Sequence, residues 1–176
     1  MKNVRFIATI LFYLSRCIAL LYLTLFLYSG IIFFLSEFTD VTWNAINRVE
    51  NNRFQILFPF SEESILLGDY TGLFITVMLT IFLIYWIFFW LLGNVFSVFR
   101  NKKLFTALSV QRLRQFYIAN IIIPVLAISI LYIGKEEKSL MVIITMLHFV
   151  IGIFAFFMAS IFKQGLTLQD EQDLTI

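Results

Sequence analysis

Four long apolar stretches, residues 6–35, 72–99, 116–133 and 140–162, divide this 176-residue chain and leave few folds open to it. A helix needs about 20 mostly apolar residues to cross the hydrocarbon layer of a bilayer, and each stretch meets or approaches that length. Composition agrees: 61% of the residues are hydrophobic, 22 are Phe, and only 14% are charged. An ordinary globular domain is about a quarter charged, and a soluble fold of this size has too little interior to hide so much apolar surface. The reading is a single-domain, all-α membrane protein with four transmembrane helices.

Charge orients the four spans. Arg100, Lys102, Lys103, Arg112 and Arg114 lie between the second and third spans with no acid among them. Short cationic loops stay on the cytoplasmic side, so the 100–115 loop is placed inside. The 36–71 loop then lies outside. It carries Glu37, Asp40, Glu50, Glu62, Glu63 and Asp69 against Arg48 and Arg53, and this lack of basic excess suits the outer face. Both chain ends fall inside, including the 163–176 tail. The expected location is a bacterial inner membrane, crossed several times.

The first apolar run follows Lys2 and Arg5 and far exceeds the roughly 7–15 residues of a signal-peptide core, with no A-x-A site after it. It reads as a retained anchor. Arg16 is expected at its inner boundary, snorkelling to the headgroups; a buried functional charge is the other reading. Cys17 is the sole cysteine, which excludes an internal disulfide and a cysteine-based metal cluster. In the outer loop, Pro59 to Glu63 reads as a turn into a short helix with Ser61 as N-cap. Residues 53–58, RFQILF, suit a short strand or an interfacial strip, and Trp43, Phe54, Phe58 and Phe60 are expected to rest on the membrane surface.

Asn94 and Ser97, near the inner end of the second span, read as interhelical hydrogen-bonding groups. Thr106 is expected to cap a helix that runs into the third span. Pro124 has no N–H and its ring meets the carbonyl of Asn120, so a kink or hinge is expected there, beside a polar side chain. In the fourth span Thr145, His148, Gly152, Ala155 and Ala159 share one face, a stripe small enough to let two membrane helices approach closely. His148, the single histidine, is expected to be packed and hydrogen-bonded; proton sensing is the sharper alternative, because imidazole titrates near neutral pH. Gly165 is expected to end the last span helix, leaving an acidic tail (Asp170, Glu171, Asp173) drawn to the basic loop.

No HExxH, CxxC, GxGxxG or GxxxxGK[ST] motif occurs. The four spans contain no Asp or Glu, the groups that usually carry ion coupling inside a membrane. No enzyme activity, cofactor or metal is expected, and the net charge of +2 does not suggest direct nucleic-acid binding.

The segments FRNKKLFTALSVQRLRQ (99–115), with its V-x-x-L-R pattern, and GLTLQDEQDLTI (165–176) resemble an uncharacterised bacterial family of four-span integral membrane proteins. That family often has Pro before the loop Phe, where this chain has Leu104 before Phe105. The resemblance implies no catalytic residue. It implies a context: members are often encoded beside a small Cro/C1-type helix-turn-helix regulator. The first functional expectation is therefore a membrane-bound sensor or regulatory partner that holds such a transcription factor at the bilayer. Its contact surface would comprise Arg100, Lys102, Lys103, Arg112 and Arg114 of the loop with Asp170, Glu171, Asp173, Leu174 and Ile176 of the tail. Asn120, Pro124 and His148 would form a polar hinge within the membrane. The alternatives are self-protection against a membrane-active peptide through Trp43 and Phe58, or a small-solute carrier with a polar path through Asn94, Asn120 and His148. Homo-oligomerisation is compatible with each.

Overall fold

A computed structural model describes residues 2–38, 46–49, 52–58, 60–133 and 138–174. Its elements run α1 (Lys2–Phe38), β1 (Ile46–Val49), β2 (Arg53–Leu57), β3 (Ser64–Asp69), α2 (Gly72–Arg100), α3 (Ala107–Ile133) and α4 (Lys138–Leu174). The chain is mostly helical. Among the described residues, Lys2–Ser36, Gly72–Arg100 and Val142–Gln172 are long and apolar enough to cross a membrane. α3 is 27 residues long, but Gln111, Arg112, Arg114 and Gln115 crowd its first turns and shorten its apolar part. Hydroxyls inside these helices bond to their own backbone. Thr9, Ser15, Thr24 and Ser160 each reach the carbonyl four residues back, at 2.8–3.0 Å. A hydroxyl satisfied in this way needs no partner from another helix or from water.

The fold is not all-α: three strands form an antiparallel sheet in the order β1-β2-β3. Alternation within RFQIL sends Phe54 and Ile56 inward, and both are fully buried, so the expected membrane-surface role of Phe54 is corrected to a core role. The short helix expected at Ser61 is also absent. Residues 61–63 form a bend into β3, closed by Phe58 N–H to the Glu63 carbonyl at 2.9 Å and Glu63 N–H to Ser61 Oγ at 3.1 Å. Ser61 thus caps a turn instead of a helix. The sheet captures the following residues because five of the six in Ser64–Asp69, all but Ile65 at a register shift, pair with β2, which a single helical turn could not match in backbone bonds.

The chain forms two compact units. One, Leu20–Trp86, contains the sheet and the parts of α1 and α2 that flank it. Its core joins Ile32 and Phe33 of α1 to Phe54 and Ile56 of β2, with Tyr28, Phe74 and Met78 around them. Phe33 and Phe54 meet edge-to-face with ring centres 4.9 Å apart, and Tyr28 donates its hydroxyl to the Leu57 carbonyl at 2.8 Å. Gly68 is required here, since a Cβ would collide with the Phe74 ring.

The other unit comprises Met1–Ala19 and Ile87–Ile176. It has a core of Val98, Leu113, Ala159 and Phe162 from α2, α3 and α4. Thr106 caps α3 as expected: Ser109 N–H donates to its Oγ1 at 3.1 Å, and Val110 N–H donates to its carbonyl. Gly165 does not end α4. The helix runs on to Leu174, and the missing side chain serves another purpose: an added Cβ would lie 2.6 Å from the Phe105 ring. The tail expected after 163 is helical for most of its length.

Candidate functional site

Two polar constellations lie in the Met1–Ala19 and Ile87–Ile176 unit. The first is buried between α3 and α4. Asn120 is fully buried; its Nδ2 donates to the Phe116 carbonyl at 2.9 Å, and its Oδ1 lies 2.8 Å from His148 Nδ1. Phe88 stands edge-on to the imidazole, ring centres 4.9 Å apart. The small-residue stripe explains how α4 comes so near. Gly152 lies against Asn120, where a Cβ would meet that residue's own Cβ at 3.3 Å, and Ala155 and Ala159 are buried further along. Asn120 and His148 are thus brought together, while Pro124 lies within α3 one turn on. Asn94, the third member of the expected solute path, bonds elsewhere.

The second constellation joins α1, α2 and α3 through arginines. Arg16 finds its partners on a neighbouring helix. It turns onto α2, where Nη1 donates to the Trp90 carbonyl at 3.2 Å and Nη2 to Asn94 Oδ1 at 2.6 Å. Its guanidinium lies 3.6 Å from the centre of the Trp90 ring and 5.2 Å from that of Phe12. Arg112 donates from Nη1 to Ser97 Oγ at 2.6 Å, and Ser97 in turn bonds to the Asn94 carbonyl. Arg100 also lies over Phe12, 4.4 Å from the ring centre, and 5.4 Å from that of Tyr13. Asn94 and Ser97 are thus interhelical hydrogen-bonding groups, as expected. Besides Asn94 and Ser97, the sequence hinted at this by setting an arginine inside an apolar run, where it must find acceptors; nothing in it pointed to Trp90 or Phe12.

The residues expected to meet a partner divide. Arg112 and Arg100 turn inward, toward Ser97 and Phe12. Lys102, Lys103 and Arg114 are exposed, as are Asp170 and Glu171 on the last turns of α4. Asp173 and Leu174 complete that helix in backbone, and their side chains, like Ile176 and Trp43, lie outside the described residues. Loop and tail do come together, but through an aromatic side chain: Phe105 sits on Gly165 and meets Phe162 with ring centres 5.3 Å apart.

Comparison with known proteins adds one finding. The profile of the family described as "Protein of unknown function (DUF2975)" matches residues 1–176. The chain belongs to the DUF2975 family. No curated protein and no solved structure matches it. Membership in DUF2975 fits a membrane protein of unassigned activity, and the description attaches no chemistry to the arginines or to the Asn120–His148 pair.

Proposed function

We propose that this DUF2975 protein crosses a bacterial inner membrane four times, N-in and C-in, and holds a small helix-turn-helix regulator at the cytoplasmic face. The observation that carries the reading is the seating of Phe105 on Gly165. It joins the basic loop to the extension of α4 and so presents cations (Lys102, Lys103, Arg114) and carboxylates (Asp170, Glu171) from one joined structure. A partner with both charge signs on its own surface is recognised by such a mixed face, because charge complementarity selects and orients partners. The third crossing is assigned to the apolar part of α3 after Phe116.

The decisive experiment is co-purification. Deleting residues 169–176 should abolish recovery of the regulator encoded alongside while membrane insertion is retained; unchanged recovery disposes of the tail's role. Reporter fusions at Ile176 and within the 39–45 segment give the topology separately, with only the second active in the periplasm.

A second reading is favoured by the turn between β2 and β3. There Phe58 is half exposed and Phe60 fully so, the latter with φ of 65°. An aromatic held in the left-handed region and open to its surroundings suits capture of a membrane-active peptide. In that case loss of the gene sensitises cells to such a peptide, and Phe60→Ser reproduces the loss while the tail deletion does not.

A further inference from the structure

The arginine cluster contains a charge problem that no described residue solves. Arg16, Arg100 and Arg112 come from three helices, and among the described residues no carboxylate pairs with any of them. What holds them is neutral: the Trp90 carbonyl, Asn94 Oδ1, Ser97 Oγ and the faces of Phe12, Tyr13 and Trp90. Arg16 on Asn94 and Arg112 on Ser97 are linked through the bond from the Ser97 hydroxyl to the Asn94 carbonyl, which sets two like charges on neighbouring residues of α2. Like charges gathered among apolar helices are costly unless an anion joins them. We propose that this cluster binds the phosphate of an anionic lipid headgroup.

The donor geometry suits that ligand. A guanidinium carries five N–H donors. Arg16 commits its bonds to two neutral acceptors and Arg112 commits one, so both keep donors for an oxyanion. Their orientation is set in advance by the aromatic faces and by the Ser97–Asn94 link, and phosphate recognition by arginine rewards fixed forks of this kind. A lipid is the source because the flanking surface is apolar: Tyr13, 5.4 Å from Arg100, and Leu108, one helical turn before Arg112, are both half exposed or more. A phosphate bearing acyl chains covers these residues, whereas a free phosphate leaves them bare. Basic sites between membrane helices recognise headgroups in this way.

The proposal rests on the membrane-spanning reading of the helices, which fails separately if the full chain stays soluble without detergent. The test uses the full chain purified in an uncharged detergent, with thermal unfolding followed on adding phosphatidylglycerol, phosphatidylcholine or inorganic phosphate. Phosphatidylglycerol should raise the unfolding midpoint, and the other two should not. Arg112→Gln, which keeps a donor for Ser97, should require about tenfold more phosphatidylglycerol for half the effect. Arg114→Gln removes the same charge from an exposed position two residues on and should respond as the unaltered chain does. If Arg16→Gln fails to fold, the Arg112 and Arg114 pair still decides the question. Equal losses in those two variants would reduce the effect to general surface charge and overturn the site. An equal response to phosphatidylcholine, or a full response to inorganic phosphate, overturns the lipid headgroup as its ligand.

Discussion

Asn120 uses both ends of its amide inside the protein, Nδ2 on its own helix and Oδ1 on His148. Replacing it with Leu leaves the imidazole without that partner in a site where both residues are buried. Hydrogen bonds between membrane helices are worth about 0.6 kcal/mol on average and about 1.7 at most. Asn120→Leu and His148→Phe should therefore each lower the unfolding midpoint in detergent, and the double variant should recover a coupling of about 1 kcal/mol. A coupling near zero means the contact is a by-product of close packing. Gly165 makes a sharper case, since its missing side chain is what admits the Phe105 ring. Gly165→Leu should cost about 1–3 kcal/mol by overpacking and expose the 100–106 loop to protease. Phe105→Ala in the same chain should relieve the stability cost while leaving the loop undocked.

At the scale of elements, the sheet depends on one strand. β2 lies between its two neighbours and sends Phe54 and Ile56 into contact with Phe33. The exposed Arg53–Asp69 pair at 3.5 Å contributes at most about 1 kcal/mol, whereas removing a buried phenyl ring costs about 3–5. Phe54→Ala should therefore release the sheet, and Arg53→Gln should not. Hydrogen exchange separates the outcomes: in Phe54→Ala the amides of β1–β3 should exchange at rates near those of an open chain while those of α3 and α4 stay slow. Slowed exchange of α3 and α4 reflects their own interface, where Gly152 and Ala155 let the backbones approach.

The whole molecule carries an apolar exterior. Phe154, Met146 and Ile143 on α4 and Phe34 on α1 are each more than 60% exposed, and patches of this kind on a soluble monomer mark an interaction site or aggregate. A bilayer covers them. Cys17 tests this directly, because it is exposed on α1 among apolar neighbours. Lipid around it keeps a charged reagent out, because a charge is costly in the hydrocarbon layer. A charged maleimide should leave Cys17 unmodified in intact membranes and label it fully once the protein is unfolded in a denaturing detergent. Rapid labelling in membranes would place that part of α1 in water.

Apolar run length and charge-poor composition are local properties, and from them the chain reads as helical and membrane-seeking, with α1 and α2 bounded to within a few residues, whereas α4 runs on to Leu174, well past the expected end of its span. The sequence also marked Thr106, Asn94, Ser97 and the stripe from His148 to Ala159, each of which could be read from spacing along one helix. It did not determine which partner each of them meets. A helix apolar on every side has no face that marks its neighbour, so the pairing of Arg16 with Asn94, 78 positions apart, follows only from how α1 and α2 are turned against each other. The strand reading of 53–58 holds for β2 (Arg53–Leu57), but β1 and β3 escaped for a related reason: they are short, and only pairing with β2 makes strands of them. Packing between helices set the rest: Gly165 receives a ring instead of ending a helix, and three arginines converge with no carboxylate among the described residues to balance them.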